Sequence, residues 1–130
     1  MGLAPNSCIL GCDISYNLME ICKSKDYDVF VADATNLPFL DNSFDISISI
    51  AVLHHMSTLE NRIKILKELS RIVKPGGEVL VCAWALEQDH TSKRDFENQD
   101  VMVPWKLQPQ YGEDRVFYRY CHLYIEGELE

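Results

Sequence analysis

The segment from residue 44 to residue 86 constrains the fold most, because it has the pattern of a strand, a helix and a second strand in direct succession. Residues 46–52 and residues 78–86 are apolar runs with few polar interruptions, as expected of buried strands. Residues 57–73 lie between them and have the spacing of an amphipathic helix. Because parallel strands need such a crossover helix, the segment predicts the parallel sheet of an α/β protein.

The predicted helix has defined ends and a predicted buried face. Residues 57–60, with the sequence Ser-Thr-Leu-Glu, form a capping box that begins at Ser57, and residues 74–77, Lys-Pro-Gly-Gly, end the helix. We expect the helix to pack closely on a strand face that carries only the small residues Ser47 and Ser49. The positions expected to be buried are Leu59, Ile63, Leu66, Leu69, Ile72 and Val73.

The N-terminal part repeats the strand–helix–strand pattern. Residues 8–12 predict a strand that ends beside Asp13, Ser15 is placed to cap a helix, and residues 28–32 predict a strand that ends at Asp33. Open α/β sheets bind ligands at the carboxyl ends of their strands. A carboxylate there can accept hydrogen bonds from both ribose hydroxyls, so the two aspartates together predict a nucleoside pocket. Each alone would equally suit a turn or a helix cap.

Composition narrows the possible partners and compartments. Twelve basic against twenty acidic residues give a net charge of −8, so binding to a nucleic acid requires a local basic cluster or a helper protein. No apolar run is long enough to span a membrane, and no N-terminal stretch joins a basic flank to an apolar run, so we expect no secretory signal. The five cysteines contain no C-x-x-C pair, and three lie in apolar runs, which favours reduced, buried thiols in a cytoplasmic or nuclear protein.

The C-terminal third has a weaker pattern. Residues 88–111 are predicted to form a polar loop with one apolar stretch at residues 101–105, and residues 115–125 are strongly aromatic. The acidic residues at 126–130 suit the first turn of a helix.

Five short segments resemble the successive motifs of class I S-adenosylmethionine-dependent methyltransferases. They are residues 11–13, 32–34, 37–39, 44–45 and 71–77. Four further segments are similar to the eukaryotic tRNA methyltransferases that esterify the 5-carboxymethyl group of a wobble uridine, namely residues 47–55, 84–88, 99–105 and 119–122. The resemblance implies a Rossmann-like open parallel sheet, S-adenosylmethionine as cofactor and tRNA as substrate.

The resemblance also implies a partial domain over residues 1–130, with a core at residues 8–86 and a substrate-side loop and aromatic tail at residues 87–130. In the family a first strand and a glycine-rich loop precede the segment that matches residue 8, and this chain contains no G-x-G. Terminal strands of the family would follow residue 130. We therefore expect an incomplete sheet, without its middle strand, and weak cofactor binding by the chain alone.

The resemblance assigns the cofactor contacts residue by residue. Asp13 would bind the ribose, Asp33 with Ala34 would bind the adenine, and Ile14 would cover the base. Ala51 would lie near the sulfonium.

The resemblance also implies a carboxylate as the reacting group. A carboxymethyl group has a pKa near 4, so it is ionised at neutral pH and needs no general base. An arginine is the natural clamp for it, with Arg119 the first candidate and Arg115 the second. Arg119 as a surface ion pair is the alternative. His54 and His55 would shape the pocket or donate a hydrogen bond to the nucleobase.

The remaining substrate contacts would surround the mouth of the site, and no metal is predicted there. Two of them, the tryptophans, would stack on a flipped-out base or be buried in the core. These residues are Trp84, Gln88, Trp105 and His122.

The family works with a small zinc-binding activator subunit, which is expected to pair with the edge strand at residues 28–32, from Asp28 to Ala32. Two other functions remain open: a methyltransferase for small molecules such as quinones or sterols, and a catalytically inactive remnant that binds a partner. An NAD-binding Rossmann protein is the weakest alternative, because its fingerprint glycines are missing.

Overall fold

The computed structural model describes residues 7–88, 92, 94–106 and 115–130. The chain divides into two compact units, residues 1–40 and residues 41–130. In chain order the helices and strands are β1 (Gly11–Asp13), α1 (Tyr16–Lys23), β2 (Val29–Val31), β3 (Phe44–Ile50), α2 (Leu59–Ile72), β4 (Val73–Cys82), β5 (Asp100–Lys106) and β6 (Val116–His122), with a single 3-10 turn at Leu53–His55 between β3 and α2.

The first unit consists of a strand, a helix and a parallel strand, as predicted. β1 and β2 pair in parallel, with Gly11 opposite Val29 and Asp13 opposite Val31. Ser15 caps α1, because its side chain accepts a hydrogen bond from the backbone N–H of Leu18 at 3.3 Å. β1 begins three residues later than the strand predicted at residues 8–12.

The second unit begins with the parallel pair of β3 and β4 and the helix α2 that connects them. The small residues of β3 allow α2 to approach closely: Ser47 and Ser49 are buried, and the Ser47 hydroxyl donates to the Leu69 carbonyl at 3.3 Å. The close packing predicted for this strand face is therefore confirmed.

Two details of α2 differ from the prediction. The N-cap is Thr58, whose side chain accepts from the backbone N–H of Asn61, so the capping box predicted at Ser57 is wrong. The buried face is also rotated: Ile65, Leu69, Ile72 and Val73 are buried, whereas Leu59 is 61% exposed and Ile63 41% exposed. A hydropathy pattern marks apolar positions but does not show which of them a neighbouring element covers.

Two glycines lie in an irregular turn inside β4, where its pairing register with β3 shifts between Phe44 and Ile46. Gly76 has φ +84, a left-handed conformation that favours glycine. A Cβ at Gly77 would lie 2.4 Å from the backbone oxygen of Asp45, so only glycine fits where this turn crosses the start of β3. The helix ends at Ile72, one residue before the predicted end, with Val73 as its C-cap, and residues 74–77 lie inside β4, which runs from Val73 to Cys82 rather than over residues 78–86.

β5 and β6 form an antiparallel hairpin in a region predicted to be mostly loop. Asp100 pairs with His122 at one end and Lys106 with Val116 at the other. One face of the hairpin is part of the core: Val103, Cys121 and Leu123 are buried, and partly buried Trp84, Leu86, Phe96 and Val101 pack against them. The acidic residues after β6 form a turn rather than the start of a helix.

The described strands form three two-stranded sheets, two parallel and one antiparallel, where the sequence predicted one open parallel sheet. The β3–β4 face opposite Ser47 remains exposed, with Ile46, Ile48, Ile50 and Leu80 all about half accessible. No helix in the described ranges is both long and apolar enough to cross a bilayer.

Burial of the thiols also differs from the prediction. Of the five cysteines only Cys121 is buried, while Cys8, Cys12 and Cys82 in the apolar runs are exposed. All five are free.

Candidate active site

The carboxyl ends of β3 and β4 lead directly to aromatic and imidazole side chains. After β3 the chain turns at Ala51, which has φ +59, a left-handed conformation that costs about 1–2 kcal/mol for a residue other than glycine. The turn is held by a 2.9 Å hydrogen bond from the Ala51 N–H to the Cys82 carbonyl. His54 then stacks on Trp84, which follows β4, with ring centroids 5.0 Å apart, and its Nδ1 accepts from the Trp84 backbone N–H at 3.3 Å.

The hairpin contacts the same place. His55 Nδ1 lies 2.9 Å from the carbonyl oxygen of Tyr120, and because a carbonyl only accepts, this nitrogen must donate. The ring of His55 lies 4.3 Å from that of His54, and Cys121 Sγ is 3.8 Å from His55 Nδ1. Arg119 directly precedes Tyr120 on β6, so the strand that contacts His55 also carries this arginine.

The electrostatics of the site concentrate positive charge on arginine. Burial, reinforced by the charges of His55 and Arg119, lowers the pKa of His54 to about 4, so His54 is neutral at physiological pH. Burial raises the pKa of the Cys121 thiol, although the nearby positive charges of Arg119 and Arg94 act in the opposite direction. With His54 neutral and the pKa of the Cys121 thiol raised, the guanidinium groups of Arg94 and Arg119 are the permanent positive charges near this cluster.

His54, His55 and Cys121 each place one potential ligand atom within 4.8 Å of the others, which raises the question of a metal. Hydrogen bonds already engage Nδ1 of both histidines, and burial raises the pKa of the Cys121 thiol. The two neighbouring guanidiniums repel a cation and attract an anion. The chemistry of this cluster therefore fits an anion better than a metal ion.

Trp84 and Trp105 differ in their availability to a base. The Trp84 ring lies against His54, and the guanidinium carbon of Arg94 lies 4.3 Å from the ring centroid, so an imidazole and a guanidinium already pack on this indole. The stacking of a flipped-out base on Trp84 stays a prediction. Trp105 is 43% exposed and carries Arg119 5.9 Å from its centroid, with Phe117 beside it.

Two predicted substrate residues serve internal hydrogen bonds instead. Gln88 donates through Nε2 to the Ala85 carbonyl at 2.6 Å and accepts through Oε1 from the Ser92 hydroxyl at 3.0 Å. His122 is buried, with Nδ1 2.9 Å from Asp100 and Nε2 2.7 Å from Glu128. Neither ring nitrogen of His122 is therefore available to a substrate in this arrangement.

The hydrogen bonds around His122 lower the pKa of two carboxyl groups. The pKa of Asp100 is below its usual range, chiefly because Tyr120 and His122 donate to it. Burial would raise the pKa of Glu128, but the hydrogen bond from His122 and further donors lower it overall. Each ring nitrogen of His122 thus lies within hydrogen-bond distance of a carboxylate oxygen, Nδ1 beside Asp100 and Nε2 beside Glu128.

The predicted cofactor residues of the first unit lie at the ends of neighbouring strands. Asp13 Oδ1 accepts from the Ser15 N–H at 2.8 Å, and Asp33 Oδ1 accepts from the Thr35 N–H and hydroxyl, each at 2.8 Å. Ile14 is 73% exposed and Ala34 half-buried. Each aspartate thus also caps the following turn, the alternative that the sequence left open.

Arg94, Tyr120 and Cys121 are site residues that the sequence analysis did not assign. Arg94 had only a weak signal, the basic pair at residues 93–94 after the strand that leads to Trp84. Cys121 contacts His55 across 66 residues, a contact that no local pattern encodes. Arg115 is exposed and directly precedes β6.

Comparison with known proteins agrees with this arrangement of elements. Residues 3–81 match the family described as a methyltransferase domain. Over 92% of this chain and 64% of the other, the fold superposes with a TM-score of 0.70 on a SAM-dependent methyltransferase from Methanosarcina mazei, at 20% identity. A protein from Pyrococcus horikoshii gives a TM-score of 0.61 at 22% identity, over 91% of this chain and 57% of that one.

Curated relatives carry more specific names. The tRNA (carboxymethyluridine(34)-5-O)-methyltransferase of Xenopus tropicalis is 34% identical over 181 aligned positions, covering 100% of this chain and 29% of that protein. The Arabidopsis thaliana tRNA (carboxymethyluridine(34)-5-O)-methyltransferase is 53% identical over 92 positions, covering 71% of this chain and 23% of that protein. The Saccharomyces cerevisiae protein of the same name is 40% identical over 112 positions, covering 82% of this chain and 40% of that protein.

The chain spans less than half the length of each of these curated relatives. The methyltransferase-domain match alone covers more than half of the chain. The chain belongs to the methyltransferase domain family, and its α/β fold is the Rossmann-like fold of the S-adenosylmethionine-dependent methyltransferases.

Proposed function

We propose that this chain contributes the substrate side of an S-adenosylmethionine-dependent tRNA methyltransferase that esterifies the carboxymethyl group of a wobble uridine. One observation carries the proposal: the carboxyl ends of β3 and β4 place His54 and Trp84 together, and β6 brings Arg119 to them. Ligands of open α/β sheets bind at this end of the strands. The names of the relatives from Xenopus, Arabidopsis and yeast support the choice of substrate.

The proposed chemistry asks the protein to bind and orient rather than to move a proton. The substrate carboxylate is already ionised, so its oxygen is a nucleophile without a base. Arg119 supplies two parallel donors that fix a carboxylate in one orientation. Because orientation alone can contribute roughly 7–11 kcal/mol to lowering a barrier, a clamp that aims this oxygen is the main requirement.

The histidines would keep the clamp effective. His54 is neutral at physiological pH. It therefore does not repel the guanidinium of Arg119 and does not attract the substrate carboxylate away from it. His55 donates to the Tyr120 carbonyl, the residue after Arg119, and thereby fixes the backbone that carries the guanidinium. We propose that both histidines act mainly by shaping this pocket, with Trp105 as the exposed aromatic surface for a base.

S-adenosylmethionine, when bound, supplies an electrophilic methyl group. The first unit offers hydrogen-bond acceptors that suit the nucleoside part of S-adenosylmethionine. The carboxylates of Asp13 and Asp33 lie at the ends of the paired strands β1 and β2, and Ile14 is exposed beside Asp13. We propose Asp13 for the ribose, with Asp33 and Ala34 for the adenine. Ala51, in its left-handed conformation, remains the proposed contact near the methyl group.

A small zinc-binding activator subunit is the proposed protein partner. β2 pairs with β1 and has no second neighbour among the described strands, so one edge is available for a partner strand. Val31 on this edge strand is 47% exposed.

The proposed location of the protein is the cytoplasm or the nucleus, which would suit both tRNA modification and free thiols.

The test is transfer of a labelled methyl group to tRNA that carries 5-carboxymethyluridine, with and without the activator subunit. We expect base-labile label, as from an ester, and none on the same tRNA with unmodified uridine. Arg119→Gln should lower transfer by at least tenfold. Label on quinones or sterols instead would favour the small-molecule function, and activator binding without any transfer would favour the inactive remnant.

A further inference from the structure

Arg94 is held in place by its neighbours although it lies on the surface. Its guanidinium carbon is 4.3 Å from the centroid of Trp84. Its backbone N–H donates to the Ser92 hydroxyl at 3.2 Å, and that hydroxyl donates to Gln88 Oε1, whose amide in turn donates to the Ala85 carbonyl. A relay of three hydrogen bonds therefore connects the end of β4 to the backbone of Arg94.

Arg94 lies on the same side of the second unit as Arg119. Trp84, beneath Arg94, packs against the buried cluster that contains Cys121. Arg119 and Cys121 are two residues apart on β6, so their side chains point to the same face. The charges of both arginines reach Cys121, where each lowers the pKa of the thiol against the effect of burial.

Neither guanidinium forms an ion pair with any residue in the described ranges. This distinguishes them from Arg71, whose guanidinium binds both Asp41 and Glu68 at 2.8 Å. Both instead lie over indole rings, Arg94 on Trp84 and Arg119 on Trp105. Stacking of this kind satisfies the flat face of a guanidinium and leaves its N–H edge for a ligand.

We propose that Arg94 is a second anion-binding residue of the site, which takes an RNA phosphodiester next to the wobble nucleotide while Arg119 takes the carboxylate. This inference rests on the proposed function. A guanidinium matches a phosphate through two parallel hydrogen bonds, and a chain with a net charge of −8 needs a local cationic cluster to bind RNA. Gln88 acts through the Ser92 hydrogen bonds as a positioning residue for Arg94.

The experiment measures RNA binding without cofactor and without catalysis. An anticodon stem-loop with a wobble 5-carboxymethyluridine is titrated with the full chain at several salt concentrations, for the wild type, Arg94→Ala, Arg94→Lys and Lys67→Ala. Lys67, an exposed cation of α2, is the matched control for the loss of one charge. Arg94→Ala should weaken binding about tenfold and reduce the log–log salt slope by about 0.7, as expected for one lost contact to single-stranded RNA.

Arg94→Lys should restore the salt slope but only part of the affinity, because lysine keeps the charge without the planar fork. Lys67→Ala should change neither. Equal slopes for the wild type and Arg94→Ala, an equal effect of Lys67→Ala, or a wild-type chain that does not bind the stem-loop would each overturn the proposal. A reduced salt slope in Arg94→Ala, combined with no methyl transfer by the wild type, would support phosphate binding by Arg94 while contradicting the proposed function.

Gln88→Ala separates positioning from general stability. If Gln88 acts through Arg94, Gln88→Ala should weaken RNA binding three- to tenfold in the wild-type background but have no further effect in Arg94→Ala. Additive losses in the double variant would assign Gln88 a merely structural role and contradict this part of the proposal.

Discussion

His55 donates its Nδ1 proton to the carbonyl oxygen of Tyr120 at 2.9 Å, and this bond joins the turn after β3 to the strand that carries Arg119. The two residues are 65 positions apart in the chain. The bond fixes the backbone next to Arg119 on the hairpin. Because a carbonyl oxygen only accepts, Nδ1 of His55 is the donor.

The neutral state of His54 gives a pH dependence of stability. Its pKa is about 4 in the folded chain and near 6.5 when unfolded, so the unfolded chain binds more protons between these values. The contribution of His54 is therefore complete above about pH 6.5 and is lost as the pH falls towards 4. Urea unfolding at pH 7, 5.5 and 4.5 should show a smaller acid loss for His54→Gln than for the wild type. An identical pH profile would show that His54 does not titrate abnormally.

The hydrogen bonds of the buried His122 side chain connect the base of the hairpin to the C-terminal turn. His122→Gln removes a donor from Asp100 or Glu128 and should lower the free energy of unfolding by about 1–3 kcal/mol. Asp95→Asn, at an exposed carboxylate, is the control and should change it by less than about 0.5 kcal/mol. Chemical denaturation at pH 7 measures both. Equal stabilities would mean that water replaces these hydrogen bonds without cost.

Thr58, rather than Ser57, should carry the capping energy of α2. Thr58→Ala removes the acceptor for the Asn61 N–H and should destabilise the chain by about 1 kcal/mol. Ser57→Ala removes no such bond and should have an effect below about 0.5 kcal/mol. The comparison needs only two denaturation curves. A larger loss in Ser57→Ala would restore the capping box that the sequence predicted.

The small residues of β3 should be sensitive to size. Ser47→Leu forces added volume between β3 and α2, where the hydroxyl now bonds to the Leu69 carbonyl, and should cost about 1–3 kcal/mol or more. Ile48→Leu on the opposite, half-exposed face keeps volume and should be nearly neutral. Thermal melting of the two variants distinguishes the faces; similar shifts would argue against close helix packing on Ser47.

The parallel pairs were predictable because their signals are local. β-branched runs, the cap at Ser15 and the Lys-Pro-Gly-Gly turn each act within a few residues. The hairpin was not predictable in the same way, since Pro104 interrupts β5 and proline is expected only at sheet edges. In a two-stranded hairpin every strand is an edge, so Pro104 is tolerated opposite Tyr118.

The site was predictable in its residue types more than in its contacts. His54 and His55 are in contact and the strand that carries Arg119 contacts His55, whereas His122 and Gln88 form hydrogen bonds to other residues of the chain. Those partners lie in segments whose pairing depends on the hairpin, so no local pattern assigns them. The orientation of Arg94 on Trp84 likewise depends on a loop conformation held by Ser92.

The most direct test of the central claim, that Arg119 binds the carboxylate of the substrate, compares two stem-loops that differ only at the wobble base. One carries 5-carboxymethyluridine and the other its neutral amide, and affinities are measured for the wild type and Arg119→Gln. The account predicts at least tenfold tighter binding of the carboxylate by the wild type, because a charge-assisted pair contributes about 1.5–3 kcal/mol, and a ratio near one for Arg119→Gln. A wild type that does not distinguish the two, or a preference that survives in Arg119→Gln, would contradict it.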